Sequence, residues 1–451
     1  MAGGRSVAEA IGVTALVESR TVRSPTRRFA GILLGSVIAA AFLGPGTVTT
    51  AAKAGAAHGV RLLWTLVFAT VACAVLQEAS ARLTVVSGHT LGAAMAARRG
   101  GAGWRWAVLT AVFLGCAAYE AGNVLGGVAG AELAVDAPRA WLTVASVLAA
   151  GLLLGFGGTR GVVAVLSALV AVMGGAFLVT AWTLRPPWDE LLAGLIVPRL
   201  PSSGLLVLGL IGTTVVPYNL FLGSGLARGR RLGEMRLGLA ISIGLGGLIS
   251  MGVLVVGTAV SGELTFAKLA AALGTHLGGR ADLLFAIGLF AAGFSSAVTA
   301  PLAAALTARS LLAEGPDDPR WSDASPRFRG VWLAVLGIGA LFGLLEVKPI
   351  PAIVLAQALN GLLLPVVAVF LLLAVNDRRL VGDHVNGLWS NAWSLAVVAV
   401  TVLLGVRFLA GAASGIGITV PDEAILGLAG AVVVVGAMPL VKILRRLRSG
   451  S

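Results

Sequence analysis

Apolar runs of about 20 residues follow one another along almost the whole chain, separated by short polar connections. A helix of that length crosses ~30 Å of hydrocarbon, so each run predicts a membrane-spanning helix. Twelve spans are predicted, at about 29–58, 62–81, 106–131, 140–158, 161–184, 204–227, 236–260, 281–306, 330–346, 351–375, 392–412 and 424–443. Two of them are interrupted midway. Span 1 carries Gly44-Pro45-Gly46-Thr47, and span 6 carries Thr213-Thr214-Val215-Val216-Pro217-Tyr218-Asn219. Proline removes an N–H and clashes with the preceding turn, and glycine loosens the backbone. In hydrocarbon such a break persists only where it faces protein or a water-filled cavity. Broken helices at matching places in two halves of a chain point to a transporter's binding site near the bilayer midplane.

The halves themselves are legible. Spans 1–5 (29–184) and spans 6–10 (204–375) are similar in length, and each set opens with a broken helix. Five is odd, so the second set enters the membrane from the opposite side, which predicts an inverted 5+5 repeat. Spans 11 and 12 (392–443) are additions outside it. Residues 1–28 are polar, with several arginines and no clean apolar segment or cleavage site, and predict a cytoplasmic tail. The longest polar connections, Arg185–Ser203 and Arg309–Arg329, are too short to be domains. Small residues recur at helical spacing, as Gly122, Gly126 and Gly130 in span 3 and as Gly288, Ala292, Ser296, Ala300 and Ala304 in span 8. Such stripes let helix backbones approach closely.

Composition agrees: 57% of residues are hydrophobic, 12% are charged, and mean hydropathy is +0.95. The net charge of +13 could suggest nucleic acid, but its placement reads as membrane topology. With both termini in the cytoplasm, most of the 33 Lys and Arg residues fall in the N-terminal tail, the even connections and the C-terminus, with Arg82 at the inner end of span 2. The expectation is an integral protein of the cell membrane with both termini cytoplasmic. The bilayer is its partner; no nucleic acid or obligatory protein partner is implied. Cys73 and Cys116 sit singly within spans 2 and 3, with no paired spacing. No Ser–His–Asp arrangement, P-loop or nucleotide motif is present, so the chain does not read as an enzyme, and no cofactor is expected.

At the two breaks and in five further segments the chain resembles the Nramp family of proton-coupled divalent-metal transporters. Gly44-Pro45-Gly46-Thr47 stands where that family has Asp-Pro-Gly-Asn. The segments Leu76-Gln77-Glu78-Ala79-Ser80-Ala81-Arg82-Leu83 and Val85-Val86-Ser87-Gly88 are similar to the end of its second helix. Pro217-Tyr218-Asn219-Leu220-Phe221-Leu222 resembles its Met-Pro-His-Asn-Leu-Tyr-Leu segment. Phe285-Ala286-Ile287-Gly288-Leu289 and Ala291-Ala292-Gly293-Phe294-Ser295-Ser296 resemble its helix 8, and Gln357, Pro365 and Asp377-Arg378-Arg379-Leu380-Val381-Gly382 its helix 10 and exit. The resemblance implies an all-α membrane protein of about twelve helices with the LeuT-type 5+5 inverted repeat, helices 1 and 6 broken.

The resemblance also implies which positions have changed. The family ligates metal with an aspartate, an asparagine and a methionine at the breaks; here these positions are Gly44, Thr47 and Val216. The family's helix 6 histidine is Tyr218, a second histidine position is Gly223, and the helix 3 acidic pair is Glu120 and Asn123. Gln357 is kept. His58, His89, His276 and His384 fall in connections or at helix ends, and no methionine or carboxylate lies at either break. What remains there is hydroxyls, amides and backbone carbonyls, a poor set for transition metals, which favour imidazole and sulfur ligands. Mg2+, which keeps several waters, is held more readily through them, although its sites normally include a carboxylate.

The predicted substrate-binding residues are Gly44, Gly46, Thr47, Thr213, Val215, Val216, Tyr218 and Gln357. Glu120 and Asn123 share a face in span 3 and are assigned a proton path; the alternative is a neutral structural acid bonded to Asn123 or Tyr119. Lys53, Glu78 and Arg82 are assigned to gates or vestibules, the alternatives being a lysine snorkelling to the interface and a structural i,i+4 ion pair. Breaking the helices leaves two helix N-termini near the midplane, each with roughly +0.5 charge. With no carboxylate beside them, that field suits an anion or the carboxylate of a zwitterion. The expected function is alternating-access secondary transport, with coupling to H+ and a metal cation by resemblance. A small organic or zwitterionic solute is the alternative cargo. A non-transporting sensor or scaffold, which would be expected to carry an appended soluble domain, is a further class. A channel lacks a ring of like residues.

Overall fold

The computed structural model describes residues 44–97, 101–156, 160–201, 204–315, 318–345 and 347–414, with isolated positions from 421 to 434. Every regular element among them is helical. In chain order they are α1 (Pro45–His58), α2 (Leu63–Ser87), α3 (Leu91–Ala97), α4 (Gly101–Ala134), α5 (Arg139–Phe156), α6 (Arg160–Leu184), α7 (Trp188–Ile196) and α8 (Leu205–Thr214). They continue as α9 (Pro217–Leu226), α10 (Leu232–Gly257), α11 (Phe266–Leu277), α12 (Ala281–Leu312), α13 (Pro326–Leu344), α14 (Pro349–Ala374), α15 (Arg378–Val381) and α16 (Leu388–Ser414). Ten stretches of the described residues are long and apolar enough to cross a membrane; the first, Pro45–Ser87, holds both α1 and α2 around a 3-10 turn. The first half of predicted span 1 and most of span 12 lie outside the described residues.

Both prolines that mark the breaks open helices. Pro45 and Pro217 each occupy the first position of a helix, where the missing N–H has no partner to lose. The residues before them are extended, Gly44 at φ −73°, ψ 171° and Val216 at φ −80°, ψ 124°, as steric contact with the proline ring requires. The break of span 6 is therefore narrower than predicted. Thr213 and Thr214 finish α8, Tyr218 and Asn219 belong to the first turn of α9, and only Val215 and Val216 are non-helical.

α4 is the centre of the bundle, packing against α12, α14, α13, α5, α1 and α9. Its approach to α12 is backbone on backbone: a Cβ on Gly293 would lie 2.4 Å from the Cα of Gly127. The predicted span 3 stripe divides its work, with Gly126 receiving the Pro45 ring and Gly130 the backbone of α12 near Phe290. α1 packs on α10, and α8 on α14. The bilayer-facing side is apolar, with Trp141, Leu148, Phe156 and Trp182 exposed on α5 and α6. Cys73 and Cys116 are buried free thiols.

Four short helices, α3, α7, α11 and α15, lie in connections that the apolar runs left blank. α11 is one: the Thr265 hydroxyl accepts from the Lys268 N–H at 3.2 Å, and Phe266, Leu269, Ala270 and Leu273 bury one face. The connection after α12 is tied down by Arg309 to Asp323 at 2.7 Å and turns through Pro319–Trp321.

Candidate functional site

Six helices meet at the two breaks. Gly44 stands before α1, and a Cβ built on it would lie 3.1 Å from Tyr119 Oη, 3.4 Å from Ser296 Oγ and 3.8 Å from Asn123 Oδ1. These belong to α4 and α12. Gly46, in the first turn of α1, faces α14 so closely that a Cβ there would lie 2.2 Å from Gln357 Nε2. Thr47 reaches across to α8, where its hydroxyl is 2.9 Å from that of Thr213. Tyr218, at the start of α9, packs edge to face on Tyr119 with ring centroids 5.4 Å apart and an interplanar angle of 78°. The structure thus brings Gly44, Gly46, Thr47, Thr213, Tyr218, Gln357 and Asn123 to one place.

Val215 and Val216 complete the break with buried apolar side chains, and the Val216 carbonyl accepts the Asn219 N–H at 3.1 Å. Among the described residues no group of three His, Cys, Asp or Glu side chains could hold a metal ion. The polar atoms here are neutral, and several of them have no partner within the protein. The Tyr119 hydroxyl is paired with that of Tyr218, but Asn123 Oδ1, the hydroxyls of Thr49 and Thr50, and both ends of the Asn219, Gln357 and Asn360 amides make no hydrogen bond. A buried polar group left without a partner costs about 1–3 kcal/mol, and native interiors hold few of them.

Glu120 sits one step away. It is fully buried, accepts from Asn123 Nδ2 at Oε2 (3.3 Å), and leaves Oε1 without a partner. Of the two structural partners predicted for it, Asn123 is the one it has. α13 presses on it through Gly339, where a Cβ would lie 2.7 Å from Glu120 Cγ, and among the described residues no cation pairs with it. Asn123 therefore joins Glu120 to the oxygens facing Gly44. Lys53 lies half-buried on α1, with no acidic partner among the described residues.

Glu78 and Arg82 form a separate cluster on α2. The i,i+4 pair is present at 3.1 Å, and Glu78 also receives Arg236 of α10 at 2.7 Å. The Arg82 guanidinium, buried, donates further to the His384 carbonyl and to Asn386 Oδ1, both in the connection between α15 and α16. Asn386 donates to Asn391 at 3.0 Å, and Asn391 is bonded to Asn376 at the end of α14. A cavity of about 380 Å³ opens beside this cluster, lined by Glu78, Arg82, Arg236, His384 and Ser390.

Several residues of these sites were not assigned from the sequence. Asn360 lies one turn beyond Gln357, its amide toward Gly115 of α4. Gln77 faces Gly223, where a Cβ would lie 2.5 Å from its Oε1. Their available signal was their polarity inside apolar runs, which intramembrane positions tolerate rarely without cause.

The comparisons agree with this geometry. The family model described as natural resistance-associated macrophage protein-like matches residues 35–411. The divalent metal cation transporter MntH of Deinococcus radiodurans is 29% identical over 406 residues, covering 83% of this chain and 89% of its own. That of Verminephrobacter eiseniae is 28% identical over 411 residues, covering 85% and 89%. Among solved structures, the manganese transporter of Eremococcus coleocola superposes with a TM-score of 0.71 at 20% identity over 96% of this chain and 98% of its own. Mhp1, a nucleobase-cation-symport-1 family transporter, superposes with a TM-score of 0.52 at 14% identity over 92% and 93%. The fold is thus the LeuT type that the resemblance implied. With the family model spanning both broken helices and every crossing between them, the chain belongs to the Nramp family of membrane transporters.

Proposed function

We propose that this chain is an alternating-access carrier of a hard divalent cation that keeps part of its water while bound, coupled to proton movement through Glu120. Carriage of a metal cation is supported by the relatives, which are named as divalent metal cation transporters. The observation that carries the finer reading is the group of unpartnered neutral oxygens beside the breaks: Asn123 Oδ1 and the amide oxygens of Asn219 and Gln357. Water bound to a cation points its hydrogens outward and needs acceptors. Mg2+ gives up its water reluctantly and is held through it, whereas Mn2+ or Fe2+ would exchange strongly bound water for weaker neutral ligands. Gly44, Thr47 and Val216 supply no charge to repay that loss. In the predicted orientation the Arg82 cluster closes the cytoplasmic end, and Lys53 stands on the outer approach.

A second reading, a small zwitterionic solute, is favoured by two helix N-termini with no carboxylate in their first turns and by Lys53 without an acidic partner among the described residues.

Uptake of Mg2+ and Mn2+ into proteoliposomes, with and without an inward proton gradient and beside an MntH-type transporter as control, tests both. Saturable Mg2+ uptake stimulated by the gradient is expected. Micromolar Mn2+ binding abolished by substitution of Thr47 or Tyr218 overturns the retained-water reading. Absence of uptake of either ion by folded protein overturns the cation reading and leaves the solute.

A further inference from the structure

The direction of the missing side chain at position 44 is defined by the backbone, and it points at the Tyr119 hydroxyl 3.1 Å away. Tyr119 is fully buried on α4, and its hydroxyl is paired with that of Tyr218. A phenol can both donate and accept, so that pairing leaves the hydroxyl room for one more partner. Its ring is braced edge to face by Tyr218. Two departures from the family pattern, glycine at 44 and tyrosine at 218, therefore meet on one side chain. Removing a side chain at 44 clears the space into which the hydroxyl reaches, and the aromatic ring at 218 holds it there. Asn123 Oδ1, which is unpartnered, stands 3.8 Å from the Cβ built on Gly44.

We propose that Tyr119 is a specificity-determining residue of the site: its hydroxyl takes the place of the side chain absent from position 44 and engages the cargo's water shell. This rests on the cation-carrier reading above. A phenol offers one acceptor and one donor and no charge. It satisfies a bound water well and a bare transition metal poorly. It also blocks a reversion, because a carboxylate introduced at 44 would be captured by the hydroxyl instead of facing the cargo.

The test compares the full chain with Tyr119→Phe, Gly44→Asp and the double variant in proteoliposomes, by Mg2+ uptake and by calorimetric Mn2+ binding. Phenylalanine keeps the ring contact with Tyr218, so the fold is retained. Tyr119→Phe is expected to raise KM for Mg2+ about tenfold, the loss of one neutral hydrogen-bonded ligand. The double variant is expected to bind Mn2+ at least about tenfold more tightly than Gly44→Asp alone, by release of the captured carboxylate. If the parent carries Mg2+ while Tyr119→Phe leaves KM and the Mg2+/Mn2+ preference unchanged, the role of Tyr119 is overturned and the carrier reading stands. If the parent carries neither ion but the double variant gains Mn2+ binding over Gly44→Asp, the carrier reading falls and the role of Tyr119 stands. Equal Mn2+ binding by those two variants, with no uptake by the parent, overturns both.

Discussion

The hydroxyls of Thr47 and Thr213 lie 2.9 Å apart and join the first turn of α1 to the last turn of α8. These are the two broken helices, one from each half of the chain, and this contact crosses the site at its centre. Hydrogen bonds between membrane helices contribute on average about 0.6 kcal/mol, because the partners find other company when separated. A double-mutant cycle with Thr47→Val and Thr213→Val is expected to return a coupling of that size in thermal unfolding. A coupling indistinguishable from zero would mean that the pair is incidental.

Gly46 and Gly212 both face Gln357, but from different sides. A Cβ on Gly46 meets the far end of the Gln357 side chain, which can rotate away. One on Gly212 lies 2.0 Å from the Gln357 carbonyl and 2.4 Å from the Gly361 nitrogen, which belong to the α14 backbone. Gly46→Ala is expected to keep the melting temperature within a few degrees and to weaken transport. Gly212→Ala is expected to cost about 1–3 kcal/mol or more, as overpacking does, and to lower the yield of folded protein. Fluorescence-detected size exclusion with a thermal ramp separates the two.

Arg82 and Arg236 both pair with Glu78, yet their burial differs: the side chains are 5% and 54% exposed. Removing Arg236 takes away a largely solvated pair, worth about 0–1 kcal/mol. Removing Arg82 leaves the His384 carbonyl and Asn386 without their donor and costs about 3–5 kcal/mol. Arg82→Ala should therefore unfold at a much lower temperature than Arg236→Ala, and equal melting points would refute the hierarchy.

Glu120→Gln keeps an oxygen for Asn123 Nδ2 while removing the group that can carry a proton. The expected outcome is a folded variant whose cation uptake no longer responds to an inward proton gradient. Retained stimulation would return Glu120 to a structural role.

The spans were legible because hydrocarbon demands long apolar helices, and α4, α5, α6, α10, α12, α13, α14 and α16 each fall on a predicted run. Pro45 and Pro217 located the breaks. The width of the second was misread because a proline that interrupts one helix is a favoured first residue for the next, so Tyr218 and Asn219 are helical. α11 escaped notice because its 12 residues cannot span a bilayer, although its apolar spacing and the Thr265 cap were in plain view. The membership of the site was less legible. That Gly44 was bare could be read directly, but that Tyr119 fills the space beside it depends on how α4 lies against α1. Asn386 and Arg236 reach Arg82 and Glu78 only through the assembled bundle.

The edge-to-face pair at the breaks has a practical consequence. The chain contains two tyrosines in all, and they are Tyr119 and Tyr218. Fluorotyrosine incorporated throughout the protein therefore yields two NMR resonances, both arising from the place proposed for the cargo. The transporter carries its own pair of reporters, and titrating a candidate substrate against them reads occupancy directly, without engineered labels.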